Sequence, residues 1–369
     1  MSPTDRKISF IAASTLLLAS LEYLIPKPLP FLRLGLANLP LLLILQYFDY
    51  PAYFLLLLLK AIGQGMVSGT LFSYLFFISL AGTMSSGFAM KALKGLLKDN
   101  VSLIGISVVG AFVSNLAQLQ VAAWVAYGST IWVAAPLMLG LGMITSIILG
   151  FLAERYIKSG SFPNAFLSDS FEVALPTIEE RTHYVERTIA MVIAIGAILL
   201  AQGPLPLFAI TLLMYAIQTM CRRKIRLIPP LMLLFSLMVL ALFEPNGAVI
   251  FTLGSLALTK GSIALALTKG LRLIALLSAS QSLVSSNPRL KGKLGSLLLM
   301  ALSYFGILTA CFRTVKGSFL ERVDGALFCG AEGKLQKANG VQKEQGSSVP
   351  IIITAVIVVG VSIASRVLI

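Results

Sequence analysis

Apolar runs of bilayer length recur from one end of this 369-residue chain to the other, and they limit what it can fold into. Apolar residues make up 57% of the sequence and charged residues only 12%. Because lipid cannot hydrogen-bond to the backbone, helices of about 20 apolar residues are the usual way to cross a bilayer. The sequence therefore predicts an all-α polytopic membrane protein. The first run, from Ile8, is longer than a signal-peptide core and predicts a retained transmembrane helix.

The runs predict about eleven transmembrane helices and two apolar helices on the cytoplasmic surface. The predicted spans are 8–25, 35–48, 51–67, 70–92, 101–127, 131–157, 188–202, 204–220, 227–243, 247–268 and 350–366. The predicted surface helices are 271–284 and 294–312, since a crossing at 294–312 would place the six basic residues of 313–349 outside. We predict a six-helix module at 1–157, a cytoplasmic linker with a short surface helix at 158–187, and an unlike second module at 188–369.

The net charge of +14 is arranged as topology signals rather than as a nucleic-acid surface. Basic residues cluster in alternate gaps between the spans, and the gaps between those clusters carry no charge. The clusters contain Lys91, Lys94 and Lys98, and then Arg222, Arg223, Lys224 and Arg226. This alternation, with Arg6 and Lys7 before the first span, predicts a cytoplasmic N-terminus in a multi-pass protein of the inner cell membrane. Nucleic acid is not a predicted partner.

The groups that most enzymes need are scarce. The chain has no glycine-rich phosphate loop, no His-Glu-x-x-His motif, no Cys-x-x-Cys pair and no aspartate-rich motif for magnesium diphosphate. The three cysteines, Cys221, Cys311 and Cys329, lack metal spacing, and their predicted cytoplasmic position argues against disulfides. His183 lies in a charged connector and is predicted to be solvated. We predict a protein that is not an enzyme and has no cofactor or metal.

A break between hydrophobic spans, Arg33-Leu-Gly-Leu-Ala-Asn38-Leu-Pro40, predicts the mouth of a small-molecule pocket. Irregular backbone at membrane depth is tolerated where protein buries it or water reaches it. Lys60 lies deep in the next span, one helical turn from Gln64. It could contact an anionic substrate together with Arg33, but pairing with Glu22 or snorkelling are open alternatives.

Amides in the fifth span form a second group of candidates. Asn115 and Gln118 share a helix face and precede Trp124, which suits a planar ligand with polar edges. Packing between helices explains such amides equally well. In the second module, Arg272 and Arg313 are candidates for docking a cytoplasmic partner, with topology-setting charge as the alternative. Five glycines are predicted to be packing contacts: Gly63, Gly65, Gly69, Gly82 and Gly87.

The break and the Lys60 span give residues 8–157 a family resemblance. They resemble the Gx transporter family, whose members are similar to the six-helix substrate-binding S-components of energy-coupling factor transporters. Many members carry the label heptaprenyl diphosphate synthase component I. Residues 188–369 resemble the T-component of the same transporters, through Lys269 to Ser278, Ser285 to Pro288 and the apolar helices that follow.

The resemblance implies a membrane component that binds a small molecule and couples to two ATPase subunits in trans. The chain departs from the family in having Ser9-x-x-x-Ala13 in place of Ala-x-x-x-Ala, and in degenerate coupling motifs around Arg313 and Arg322. One alternative is a non-catalytic membrane subunit of a heptaprenyl diphosphate synthase or quinone pathway. A second is a stand-alone secondary transporter, against which the scarcity of intramembrane carboxylates counts, because Glu22 and Asp49 lie at span ends.

Overall fold

The fold is taken from a computed structural model. It describes residues 2–23, 35–166, 168, 171–176, 185–220, 228–243, 246–253, 256–285, 292–333 and 349–367. Helices account for nearly all of the regular structure in these ranges, which confirms the all-α prediction.

The first half contains the helices α1 Pro3–Tyr23, α2 Leu39–Leu43, α3 Tyr50–Ser68, α4 Tyr74–Leu97, α5 Leu103–Ala122, α6 Ala135–Ser159 and α7 Ser161–Phe166. The second half contains α8 Val185–Leu200, α9 Pro204–Met220, α10 Ile228–Ala241, the strands β1 Val249–Leu253 and β2 Leu256–Thr259, α11 Lys260–Ser285, α12 Gly292–Thr314, α13 Phe319–Ala331 and α14 Val349–Val367.

Local sequence signals fix several helix ends. The Ser2 hydroxyl accepts from the Asp5 amide at 3.1 Å while the Asp5 carboxylate accepts from the Ser2 amide, a reciprocal cap that begins α1. Helix α3 has proline in its first turn and ends at Gly69, whose φ of 71° is favourable only for glycine. Ser318 and Glu321 form a capping box at the start of α13.

Among the described helices, six are long and apolar enough to cross a bilayer: Tyr50–Ser68, Tyr74–Leu97, Leu103–Tyr127, Ser129–Ser159, Lys260–Val284 and Gly292–Thr314. Three shorter apolar helices lie at Pro204–Thr219, Pro230–Ala241 and Ile351–Arg366. The chain is thus a multi-pass membrane protein. Its membrane type and the side on which its N-terminus lies stay predictions.

Two predicted spans are wrong. Residues 35–48 contain a 3₁₀ turn at Leu36–Asn38 and the five-residue α2, which at about 1.5 Å per residue is far too short to cross a bilayer. Four of their leucines, Leu39, Leu41, Leu42 and Leu45, are buried against the protein instead of lipid. The described residues of 247–268 form the antiparallel strands β1 and β2 and the start of α11, because reciprocal bonds between Thr259 and Ser262 begin a new helix there.

The predicted surface helix 271–284 is wrong as a separate element, because it is the second half of the 26-residue α11. Residues 294–312 lie in the helix α12, which packs on α1 and α3. Because α12 is one of the six helices long and apolar enough to cross a bilayer, its surface position stays a prediction. Its side chains Leu297, Ala301 and Tyr304 belong to the same core as Phe10 of α1.

The second half of the chain does not share a single core. Helices α8, α9, α11 and α14 pack around one apolar cluster, whereas α12 and α13 join the cluster of α1, α2 and α3. Helices α10 and α11 contact the first half separately, near Tyr74 and Tyr127. The predicted module boundary at 158–187 stays a prediction.

A disulfide joins Cys311 of α12 to Cys329 of α13, so the prediction of no disulfide is wrong for this pair. The two helices form a hairpin that brings the Cα atoms to 6.1 Å, within the range a disulfide can bridge. The sequence separation of 18 residues carried no sign of this contact. Cys221 and His183 lie outside the described residues.

Candidate functional site

A polar cavity lies among the helices of the first half. Its walls come from the end of α1, the 3₁₀ turn before α2, and α3, α4, α5 and α6. It is lined by Glu22, Gly35, Ala37, Asn38, Lys60, Gln64, Gly82, Thr83, Met90, Ser107, Ala111, Ser114, Asn115, Gln118, Gly142, Thr145, Ser146 and Leu149. Five of the residues predicted from sequence therefore line one cavity: Asn38, Lys60, Gln64, Asn115 and Gln118.

Lys60 supplies a buried positive charge to this cavity. Its side chain is only 2% exposed, and its ammonium donates a hydrogen bond to Oδ1 of Asn38. Gln64 lines the cavity from the next turn of α3, since residues four apart share a helix face. Asn38 is held opposite them by the 3₁₀ turn, which begins after Gly35 at a φ of 92°. The break in the hydrophobic pattern thus places an amide against the buried ammonium.

The α5 amides form the opposite wall. Nδ2 of Asn115 donates to the Met138 carbonyl at 3.0 Å, and Nε2 of Gln118 donates to the Ser114 hydroxyl at 2.9 Å. No donor among the described residues bonds to the amide oxygens of these two side chains. Each oxygen can accept up to two hydrogen bonds. Packing between helices therefore explains the bonds of the two amide nitrogens. It leaves the amide oxygens of Asn115 and Gln118 as hydrogen-bond acceptors on the cavity wall.

Glycines allow the helices to approach at these amides. A methyl group at Gly82 would overlap the Gln118 amide, and one at Gly142 would overlap the Asn115 amide. Gly63, Gly65 and Gly87 contact the side chains of Leu16, Phe76 and Leu57, as their predicted packing role requires, and Gly69 ends α3.

Sequence reasoning missed the hydroxyl residues of the cavity, which include Thr83, Ser107, Thr145 and Ser146. Their signal was present on α5, where Ser107, Ser114, Asn115 and Gln118 recur at helical spacing along one face. Several of these hydroxyls bond to their own helix, as Ser146 does to the Met143 carbonyl at 2.8 Å.

Other predicted site residues lie elsewhere. Trp124 is 76% exposed in a π-helical segment at Ala123–Tyr127 and does not line the cavity. Arg33 lies outside the described residues. Arg272 is half-buried on α11 and donates to the Ala201 carbonyl at 2.7 Å, beyond the end of α8. Arg313 is exposed in the last turn of α12.

An apolar cavity lies between the first half and α13. It is lined by Ile11, Ser14, Leu17, Leu18, Leu39, Pro40, Leu43, Ile44, Tyr156, Ile157, Phe162, Pro163, Phe166, Val323 and Leu327. The hydroxyl of Ser14 bonds to the Phe10 carbonyl at 2.9 Å, and that of Tyr156 bonds to the Asp324 carboxylate at 2.7 Å. The atoms that line this cavity are therefore almost all carbon.

The chemistry available in the polar cavity is recognition by charge and hydrogen bonds. It contains an ammonium, a carboxylate on Glu22, amides and hydroxyls. Among the described residues, no three His, Cys, Asp or Glu side chains lie close enough together to hold a metal ion.

The N-terminal part of the chain matches a known protein family. Neither a curated protein nor a solved structure was found to match. The resemblance predicted for the first module is confirmed by the family match, whereas the resemblance of 188–369 to a T-component stays a prediction. Residues 11–156, which include every residue lining the polar cavity, match the family model described as heptaprenyl diphosphate synthase component I, and this part of the chain is similar to that family.

Proposed function

We propose that the polar cavity binds a small molecule and that the chain is the membrane component of an energy-coupling-factor-like importer driven by ATPases in trans. The observation that carries the proposal is the convergence of Asn38, Lys60, Gln64, Asn115 and Gln118 on one cavity. Buried polar groups are costly in a membrane protein and are commonly functional. Their collection in one place favours binding over scattered packing.

The lining also indicates what kind of molecule fits. Lys60 favours an anionic group near Asn38. The amide oxygens of Asn115 and Gln118 favour hydrogen-bond donors on the other side of the ligand. A compact compound with an anionic group and a polar edge, such as a vitamin or a quinone-related precursor, combines these features.

A second candidate function follows from the family description, which names a component of a prenyl diphosphate synthase. In that case the chain would be a non-catalytic membrane subunit, and the polar cavity would have a structural or regulatory role.

Affinity purification in mild detergent, followed by mass spectrometry of proteins and small molecules, separates the two candidates. The importer proposal expects paired ATPase subunits to copurify, together with a polar metabolite that wild type retains and Lys60→Gln loses. Lys316→Gln, at an exposed position, is the matched control and should retain the metabolite. Copurification of a soluble prenyl synthase without ATPases would overturn the importer proposal.

A further inference from the structure

We propose that the apolar cavity holds an acyl chain of an anionic phospholipid, whose phosphate is bound at Lys7. This site is separate from the polar cavity and does not depend on the proposed import function. Carbon atoms make up almost all of the lining of the cavity. With Ser14 and Tyr156 bonded inside the protein, the cavity offers a ligand almost no polar partner, so water or a polar metabolite would lose hydrogen bonds there.

A buried cation lies beside the lining residue Phe166. Along α1, Lys7, Ile11, Ser14 and Leu18 follow one another at spacings of four, three and four residues, so Lys7 continues the face that lines the cavity. Its ammonium lies 5.4 Å from the centre of the Phe166 ring, and Phe166 is itself part of the lining. The apolar space is therefore next to a positive charge.

The charge of Lys7 is not neutralised by a carboxylate among the described residues. Its side chain is 8% exposed, its hydrogen bond goes to the Tyr47 hydroxyl at 2.6 Å, and its other contacts are aromatic rings. The nearby carboxylate of Asp5 forms its ion pair with Lys293 at 3.0 Å. A buried ammonium without an anionic partner favours an anionic ligand.

An anionic phospholipid matches both observations. Its chain would occupy the space between α1, α2, α6, α7 and α13, and its phosphate would meet the Lys7 ammonium beside Tyr47. One chain would enter this space, and the remainder of the lipid would stay with the bilayer. The lipid would thus fill the space between the first half and α13.

The test uses the full chain in nanodiscs that contain equal amounts of phosphatidylglycerol and phosphatidylcholine. After re-extraction into detergent, mass spectrometry counts each lipid retained per protein. We expect wild type to retain phosphatidylglycerol in excess. Lys7→Gln should lower that excess about tenfold, the loss expected for one charge-assisted contact, while Lys7→Arg keeps it. Lys316→Gln is the surface control and should behave as wild type.

Ser14→Leu tests the chain separately from the headgroup. It fills the cavity while leaving Lys7 in place, and it should abolish the retention of phosphatidylglycerol. Equal lipid ratios for wild type and Lys7→Gln, or unchanged retention by Ser14→Leu, would overturn the proposal. If Lys7→Gln does not give a single size-exclusion peak, the comparison of wild type, Lys7→Arg and Ser14→Leu still decides it.

Discussion

The two cavities share helix α1 but differ in almost everything that a ligand would sense. Glu22, near the end of α1, lines the polar cavity, whereas Ile11, Ser14 and Leu18, earlier on the same helix, line the apolar one. In the apolar cavity the hydroxyls of Ser14 and Tyr156 donate hydrogen bonds to acceptors within the protein. In the polar cavity the oxygens of Asn115 and Gln118 have no donor among the described residues. Unused polar groups, rather than volume, distinguish the two sites.

The difference also separates their structural roles. The polar cavity lies wholly within the region that matches the family, between residues 22 and 149. The apolar cavity has one wall from that region and another from α13, which follows it by more than 150 residues in sequence. Changes at the polar cavity are therefore expected to affect ligand binding, and changes at the apolar cavity to affect the attachment of α13.

The largest effect is expected from Lys60→Met, which keeps the length of the side chain but removes the charge that contacts Asn38. Losing one partner of a buried charge contact costs about 2–5 kcal/mol, so retention of the copurifying small molecule should fall about 100-fold. Quantitative mass spectrometry of the purified protein measures it. Ser14→Met, in the apolar cavity, should leave retention unchanged; equal losses in both variants would erase the distinction between the cavities.

Asp324→Ala is expected to destabilise the packing of α13 on α6 and α7 at the apolar cavity. The Asp324 carboxylate accepts from the Tyr156 hydroxyl at 2.7 Å and from the Phe162 amide at 3.0 Å, and so joins α13 to α6 and α7. Leaving those two donors unsatisfied should lower the free energy of unfolding by about 2–3 kcal/mol. Thermal unfolding in detergent measures the loss, and Asp324→Asn, which keeps the accepting oxygen, is the control. Small-molecule retention in the polar cavity should survive.

Gly142→Ala places a methyl group against the Asn115 amide. In contrast, the methyl group of Gly140→Ala, on the same helix, meets no atom within 4 Å. Overpacking of this kind costs about 1–3 kcal/mol, whereas alanine in an open helix position stabilises by about 0.5–1 kcal/mol. Opposite shifts in melting temperature are expected for the pair. Shifts of the same sign would show that α6 moves freely at Asn115 and that the amide is not held in place.

The smallest effect is expected from protonation of Asp5, which lowers the stability of the protein at acid pH. Asp5 precedes the first predicted span. Burial raises the pKa of this carboxyl, but hydrogen bonds from Lys293 and Ser2 and the charge of Lys293 outweigh it, so the pKa is lowered below 3.8. A lowered folded-state pKa gives stability that is present above the unfolded pKa and is lost as pH falls through the folded one. Because Lys293 is exposed, the effect should stay below about 1 kcal/mol.

The measurement is the melting temperature of wild type and Asp5→Asn between pH 6 and pH 3. The two curves should converge toward the acid end. A constant separation would show that Asp5 acts through its shape in the α1 cap and not through its charge.

The sequence by itself determined the class of the protein and much of the polar cavity. Apolar length predicted α1, α3, α4, α5 and α6, because in lipid each helix must satisfy its own backbone. The polar residues that interrupt those helices, Lys60 and Asn115 among them, pointed to a shared cavity, since polar groups gather away from lipid. Five of the predicted residues line it.

Only the tertiary structure decided which apolar segments stay with the protein instead of crossing. Residues 35–48 are as apolar as a span, yet they fold as short turns because they pack on the core of α1 and α3. Composition could not distinguish burial in protein from exposure to lipid, since both environments favour the same side chains. For the same reason the sequence could not reveal the apolar cavity, the contact of α12 and α13 with α1, or the Cys311–Cys329 disulfide.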